Sequence, residues 1–293
     1  MRIIITLFVL FLTVSTINAQ KLKLDSLKQK LAVAKEDSLK FKIYDGLIRG
    51  YLSLNMDSTR VYNDKLLTLS QETEHKEIAI KGYNLASTYY YYNSQIDSCL
   101  FYVNKAMTLL KGNNNYKLQS DLYRKLAILS RANQNFHDYA RYAQLSLETA
   151  KKIDDWNLQS SALVVLGNVY YSQNKYAEAL KYYIKVDSIH SKKDEISSNL
   201  SLALENIAII YISLNDHKAL AYLEKSKKIH KQQSNLAGEK NTIRLKANYY
   251  SEVKQTDSAI AHYKSVIPFY ESYNEPNKLI EIYTELILSL IHI

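Results

Sequence analysis

The chain has 293 residues, of which 47% are hydrophobic, so it contains enough apolar material for a sizeable buried core. Only six glycines and two prolines are present, and this scarcity of turn-forming residues favours long helices over a β-rich fold. The net charge of +9 comes from 38 basic and 29 acidic residues that are interleaved, which indicates a solvated surface rather than a nucleic-acid or anionic-membrane partner. A single cysteine, Cys99, excludes an internal disulfide framework.

Residues 1–19 have the layout of a secretory signal peptide. Arg2 provides a basic start, residues 3–14 form an apolar run, and small and polar residues lead to Ala19. We predict cleavage between Ala19 and Gln20, which would place the mature chain outside the cytoplasm, in the periplasm. The alternative is an uncleaved anchor, although the apolar run is short for a membrane span. Export also argues against nucleic acid as a partner.

Residues 20–40 lie between the predicted cleavage point and the first repeat. They contain the stretch LDSLKQKLAVAKEDSL, which predicts a leading helix. Because a row of stacked repeats needs a cap at its end, we expect this helix to cover the first repeat.

From residue 41 to residue 279 the sequence repeats itself with a period of 40 residues. The register is carried by an aromatic column: Tyr62, Tyr102, Tyr142, Tyr182, Tyr222 and His262. The position three residues earlier is mostly small: Thr59, Cys99, Tyr139, Ala179, Ala219 and Ala259. Six copies in one register predict six units, each of which buries its apolar face by stacking on a neighbour.

The apolar spacing within each unit predicts two helices joined by a short polar turn. Between Ser161 and Val186, apolar residues recur at i, i+3, i+6 and i+7 from Leu163, polar residues 172–175 interrupt them, and a second apolar face begins at Tyr176. In three units an Asp-Ser pair opens the second helix. We expect the aspartate to cap the free backbone N–H groups there, at Asp57, Asp97 and Asp257.

The fourth unit resembles the tetratricopeptide repeat. Leu166-Gly167, Tyr170, Ala179 and Tyr183 match the Leu-Gly, Tyr, Ala and aromatic positions of that family at the family's spacing. The resemblance extends from about Phe41 to Tyr283, although the period is 40 rather than about 34 residues and the proline that usually ends a unit is missing. It implies an all-α fold, a right-handed α-α superhelical solenoid of helix hairpins.

The resemblance also implies a peptide-binding groove along the first helices of the units. In the family, the residue after the conserved tyrosine points into this groove, and that column here is Tyr51, Tyr91, Arg131, Tyr171, Tyr211 and Ser251. Arg124, Asn168, Arg244 and Asn248 occupy neighbouring positions. Tyrosines with interspersed Arg and Asn suit a peptide, through stacking and hydrogen bonds to its backbone. The alternative is that several of these tyrosines pack between adjacent helices.

The sequence contains no pattern that predicts catalysis, a metal or a cofactor. Its glycines form no phosphate-binding loop, and it has neither an HExxH pair nor a nucleophile elbow. His190 and His230 are one repeat apart, but two ligands alone make a weak metal site. We therefore predict a scaffold that is not an enzyme and that binds a protein or peptide.

Residues 280–293 predict the first helix of a seventh repeat without its second helix. Ile280, Tyr283 and Ile287 would leave an apolar face without a partner. Residues 288–293 resemble a translated sequencing adapter, so we expect the natural protein to be longer. The alternative is a true terminus that begins a short membrane segment, although Glu281 and Glu285 argue against it.

Two interpretations of the whole chain stay open. The first is an extracytoplasmic scaffold that binds a protein or peptide. The second, by resemblance to exported bacterial arrays, is the periplasmic sensor portion of a membrane histidine kinase or helix-turn-helix regulator, tethered to the membrane through a missing C-terminal region. Surface carbohydrate uptake is a weaker third, because the usual lipid-anchored cysteine is absent.

Overall fold

The computed structural model describes residues 22–52, 54–193, 195–273 and 275–291, and the described residues contain helices and no β-strand. The chain divides into two compact units, Met1–Asn135 and Phe136–Ile293. The predicted signal peptide lies outside the described residues. None of the described helices combines the length and apolar character that crossing a membrane requires.

Unit 1 is built from helix hairpins that stack in chain order. Its helices are α1 (22–33), α2 (Asp37–Tyr51), α3 (Met56–Glu72), α4 (Lys76–Tyr92), α5 (Ile96–Leu110) and α6 (Tyr116–Ala132). Helix α2 pairs with α3 and α4 with α5, while α4 also contacts α2 and α3, and α6 contacts α5. Each hairpin therefore buries its apolar face against the next, as predicted from the repeat.

The leading helix is shorter than the predicted segment 20–40. It ends at residue 33, and residues 34–36 separate it from α2, which begins at Asp37. The chain turns here so that Leu24 of α1 can pack against Ile43 and Leu47 of α2 in one buried cluster. The segment contacts the first hairpin, and its last residues belong to that hairpin.

Unit 2 follows the same plan. Its helices are α7 (Phe136–Lys152), α8 (Trp156–Ser172), α9 (Tyr176–Lys193), α10 (Ser198–Ser213), α11 (Lys218–Gln232), α12 (Leu236–Glu252), α13 (Thr256–Ser272) and α14 (Pro276–Ile291). The hairpins are α8–α9, α10–α11 and α12–α13. Helix α14 buries Ile282 and Leu286 against α13. Its residues Ile280, Tyr283 and Ile287 are exposed, as the sequence predicted.

The aromatic column of the second helices stacks on a tyrosine of the first helix in the same hairpin. Four tyrosine pairs are nearly parallel, with ring centroids 5.2 to 5.8 Å apart: Tyr51–Tyr62, Tyr90–Tyr102, Tyr170–Tyr182 and Tyr211–Tyr222. His262 lies at 5.1 Å from Tyr250 in a tilted arrangement. Aromatic pairs at these distances stabilise the hairpin, which explains why tyrosine recurs at these two positions of the repeat.

The predicted aspartate caps are wrong. Helix α3 is capped by Asn55, whose Oδ1 accepts the Ser58 N–H at 2.8 Å. Asp57, Asp97 and Asp257 lie inside the first turns of α3, α5 and α13, because each helix begins before the Asp-Ser pair. Their negative charge still interacts favourably with the positive end of the helix dipole.

Asn63 on α3 offers a test of the unit 1 core, because replacing it by leucine is expected to stabilise the protein. Its side chain is fully buried, and neither amide atom has a hydrogen-bond partner among the described residues. Leu223 occupies the same repeat position in unit 2 and is buried. Asn63→Leu should raise the free energy of unfolding by about 1–3 kcal/mol, because the unpaired amide is removed.

Denaturant unfolding of the two proteins checks this expectation. The matched control is Asn104→Leu, the same change at an exposed position of α5, which should alter stability by less than about 0.5 kcal/mol. A loss of stability in Asn63→Leu would show that the amide is hydrogen-bonded in solution.

Candidate functional site

A pocket of about 640 Å³ lies between helices α2, α4 and α6 of unit 1. Its aromatic lining comes from Phe41, Tyr91 and Tyr92, and further lining residues are aliphatic: Leu85, Ile128 and Leu129. The polar lining includes Asn84, Ser87, Thr88, Asp121 and Lys125. A volume of this size, with mixed apolar and polar lining, is typical of sites that bind small molecules or side chains.

Helical spacing explains why these residues share one surface. On α2 the lining residues are Phe41, Asp45 and Arg49, four residues apart. On α6 they include Asp121, Lys125 and Ile128, again three or four residues apart. Residues at this spacing lie on the same face of a helix, so three first helices present one face each to the pocket.

Lys125 connects α6 to α4 through three hydrogen bonds. Its Nζ donates to the Asn84 carbonyl, to Ser87 Oγ at 3.0 Å and to Thr88 Oγ1 at 2.6 Å. The two hydroxyl groups donate their own hydrogens to the same Asn84 carbonyl, so their lone pairs face the lysine. The ammonium group is thus bonded by neutral oxygen atoms from one turn of α4.

Asp121 lies beside this group. Its carboxylate accepts from Asn84 Nδ2 at 2.8 Å and from Arg124 at 2.6 Å. Although burial acts in the opposite direction, Arg124 and Lys125 hold the pKa of Asp121 below its usual value. Asn84 Oδ1 is buried and has no hydrogen-bond partner among the described residues. The pocket region therefore contains an ionised carboxylate and an unsatisfied amide acceptor.

Burial also changes the titration of two other pocket groups. Burial lowers the pKa of Lys125 to about 8, an effect that Asp121 partly offsets and Arg124 reinforces. Burial raises the pKa of the Cys99 thiol to about 11. Cys99 is therefore a neutral thiol at neutral pH and is not activated as a nucleophile.

Among the predicted groove residues of unit 1, the structure brings together Tyr91 and Arg124, which both line the pocket. Tyr51 instead stacks on Tyr62 inside its own hairpin, with Lys28 of α1 at 5.5 Å from its ring. Arg131 is exposed near the end of α6 and does not line the pocket.

In unit 2, several predicted groove residues bond within the helix stack. Asn168 Oδ1 accepts from Tyr183 Oη at 2.6 Å and from Asn206 Nδ2 at 3.0 Å, and Asn248 Oδ1 accepts from Tyr263 Oη at 3.0 Å. The remaining three pack against neighbours in the same unit: Tyr171 on Tyr176, Tyr211 on Tyr222, and Arg244 against Asn241.

The register of the predicted column is off by one in two repeats. The stacked tyrosines are twelve residues apart at Tyr90–Tyr102 and Tyr170–Tyr182 but eleven apart at Tyr51–Tyr62 and Tyr211–Tyr222. Tyr51 and Tyr211 therefore occupy the stacked position itself rather than the position after it. A strict period of 40 does not follow this difference, although in the fifth repeat the pair Ile207-Ala208, one residue out of register with Leu166-Gly167, signals it.

Sequence reasoning missed Asn84, Thr88 and Lys125. A signal for the first two was present, since they precede Tyr91 by seven and three residues and so share its helix face. For Lys125 the sequence gives no comparable signal, because its partners lie 37 to 41 residues away.

The two histidines noted in the sequence are bonded separately. His230 Nε2 lies 2.8 Å from Glu205 Oε1, and His190 Nε2 lies 3.1 Å from Ser197 Oγ. The edge of Trp156 packs against His190 at 5.0 Å between ring centroids. No cluster of three or more potential metal ligands of the His, Cys, Asp or Glu type occurs in the described part of the chain.

No model of a protein family matches the sequence, and no curated protein matches it. Solved structures do match. A Rap protein complexed with Competence and Sporulation Factor has a TM-score of 0.71 at 12% identity, over 88% of this chain and 73% of that one. NprR in complex with its cognate peptide NprX has a TM-score of 0.64 at 16% identity, over 94% and 82% of the two chains.

A third similar solved structure contains a tetratricopeptide repeat sensor. It is a signal transduction ATPase with a tetratricopeptide repeat sensor from Pyrococcus horikoshii, with a TM-score of 0.62 at 16% identity, over 93% of this chain and 43% of that one. Identities this low establish the fold and nothing further. The chain has the all-α, tetratricopeptide-type helical-repeat fold that its sequence predicted.

Proposed function

We propose that the chain is a non-catalytic scaffold that binds a peptide segment of another protein in the pocket of unit 1. The observation that carries this proposal is the combined lining of three first helices, with aromatic side chains next to hydrogen-bonding ones. A few hot-spot residues supply most of the binding energy in protein interfaces, tyrosine and arginine are enriched among them, and polar groups orient the bound backbone.

The structural comparisons support the ligand class. Two proteins of this fold were solved with a bound partner: a Rap protein with Competence and Sporulation Factor, and NprR with its cognate peptide NprX. The pocket of unit 1 is formed by the first helices of three successive repeats, and this arrangement leaves an open surface for an extended or helical peptide.

We also propose that the protein acts outside the cytoplasm, on the basis of residues 1–19. Protein recovered from its native host should begin at Gln20, and N-terminal sequencing that begins at Met1 would contradict export with cleavage. The sensor interpretation uses the same pocket and adds a membrane span and a signalling domain after the repeats. Sequencing the gene beyond the codon for Ile293 distinguishes it from a free scaffold.

Tyr91→Ala tests the proposed site. Peptides are first selected on the purified chain from a display library of random sequences. Tyr91 is 42% exposed and lines the pocket, so its removal should weaken the selected peptides by about tenfold or more, measured by fluorescence anisotropy. Its ring contacts Tyr92 at the surface, so we expect little change in folding.

The matched control is Tyr171→Ala. Tyr171 occupies the same repeat position in unit 2 and does not line the pocket. It should leave the affinity of pocket peptides unchanged within about twofold. If Tyr91→Ala binds the selected peptides as tightly as the unaltered protein, the pocket of unit 1 is not the binding site.

A further inference from the structure

We propose that the peptide bound in the unit 1 pocket presents an anionic side chain to it, and that entry of this side chain is coupled to uptake of a proton by Lys125. The inference rests on the proposed function above and adds two properties to it, the charge of the ligand and its dependence on pH.

The charges of the pocket lining favour an anion. Four cationic side chains line it, Arg49, Lys81, Arg124 and Lys125, against two carboxylates, Asp45 and Asp121. Pairing along each helix accounts for three of the cations. Arg49 bonds Asp45 at 2.6 Å, Arg124 bonds Asp121 at 2.6 Å, and Lys81 lies 2.6 Å from Glu77, which is outside the lining.

Lys125 is the lining cation that is not a member of these three ion pairs. Within the part of the chain that the structure describes, its hydrogen bonds go to the neutral oxygens of Asn84, Ser87 and Thr88, and none goes to a carboxylate. Asp121 stabilises its charge only through space, and that carboxylate already bonds Arg124. An anionic side chain in the pocket would therefore complete the charge balance around Lys125.

The groups around Lys125 bring its pKa close to neutral pH, so that its charged and neutral forms are both populated. On its own helix it is next to Asp121, which favours the ammonium form, and Arg124, which disfavours it. Arg49 of α2 also disfavours the charge, while Cys99 of α5 is a neutral thiol at neutral pH. Burial is the largest effect and brings the pKa of Lys125 down to about 8.

Entry of a second negative charge shifts this balance toward the ammonium form. At an effective dielectric constant of about 20, a unit charge within several ångströms changes a pKa by more than one unit. A protein molecule in which Lys125 is neutral then takes one proton from the solvent as the anion binds. The lone pair of its Nζ accepts that proton, and no covalent bond forms between the peptide and the protein. The affinity for the anionic peptide should consequently fall about tenfold between roughly pH 7 and pH 9. As the pH rises, more protein molecules carry a neutral Lys125, and the proton uptake that accompanies binding becomes less favourable.

Isothermal titration calorimetry on paired peptides tests the inference. A selected peptide that contains glutamate is compared with its glutamine counterpart, both with blocked termini, in two buffers of different ionisation enthalpy near the pKa of Lys125. We expect the glutamate peptide to bind at least about tenfold more tightly and its heat to depend on the buffer, because a proton is taken up.

Two variants, Lys125→Arg and Lys81→Met, test whether Lys125 is the group that takes up the proton. Arginine keeps its charge across this pH range, so Lys125→Arg should retain the preference for glutamate and lose the pH dependence. Lys81→Met removes a cation that lines the same pocket but is paired with Glu77, and it should keep the pH dependence. The buffer experiment on the unaltered protein needs no variant, so it remains decisive if Lys125→Arg folds poorly.

Each outcome has a distinct meaning. Equal binding of the glutamate and glutamine peptides, with sensitivity to Tyr91→Ala intact, overturns the anion preference and leaves the proposed function standing. A glutamate preference without buffer-dependent heat overturns the coupling to Lys125. Peptides that bind independently of Tyr91 count against the proposed function itself.

Discussion

Replacing Glu205 by alanine is expected to lower the free energy of unfolding by about 3 kcal/mol. Glu205 on α10 is buried, and its carboxylate joins three helices of unit 2. It accepts from Ser226 at 3.2 Å and His230 at 2.8 Å on α11, and from Asn241 at 3.0 Å on α12. Alanine would leave buried donors without an acceptor and create a cavity between the helices.

The loss is measured by denaturant unfolding followed by circular dichroism. The control is Glu224→Ala, which removes a carboxylate paired with Lys246 at 3.0 Å but exposed to solvent over 56% of its side-chain surface. An exposed pair of this kind contributes little, so the control should change stability by less than about 1 kcal/mol. Equal effects of the two substitutions would show that solvent reaches the Glu205 network.

Gly167→Ala is expected to destabilise unit 2 by about 2–3 kcal/mol, although alanine is the better helix former. A Cβ atom at this position would lie 2.3 Å from Cε1 of Tyr183, well inside van der Waals contact. The ring cannot move aside cheaply, because Tyr183 is fully buried and its hydroxyl donates to Asn168 at 2.6 Å. Unfolding measured by calorimetry or denaturant should show the loss.

Gly46→Ala provides the comparison. Gly46 also lies inside a helix, α2, and an added Cβ would meet the flexible end of Leu27 at 3.0 Å. The leucine side chain can give way, so the gain in helix propensity should leave this variant unchanged or more stable by up to about 1 kcal/mol. Were Gly167→Ala to behave in the same way, the close contact with Tyr183 could not be what fixes glycine there.

Much of the fold could be predicted because its information is local. Apolar spacing within Ser161–Val186 predicted both helices of one hairpin, and the structure has α8 and α9 on either side of the polar turn. The exact starts of helices were less predictable. Asp57 looked like a cap, but Asn55 two residues earlier performs that role, since either short polar side chain could accept the backbone hydrogen bond.

The candidate site was predicted only in part. Tyr91 and Arg124 were identified because the family resemblance assigns their repeat positions to the groove, and both line the pocket. Tyr51 and Tyr211 were assigned by the same rule, but they stack within their hairpins, where the stacked tyrosines are eleven rather than twelve residues apart. A periodic rule averages over such differences and therefore does not distinguish these positions from that of Tyr91.

The sequence by itself determined that this chain is helical, that it repeats, and that its hairpins must stack, because helix periodicity and the need to bury an apolar face are readable from neighbouring residues. The tertiary structure alone decided which polar groups meet. Lys125 acquires its hydrogen bonds, and its lowered pKa, from α4 some 40 residues away and from its depth between helices. Burial and distant partners, which set the chemistry of a charged group, exist only once the hairpins have packed.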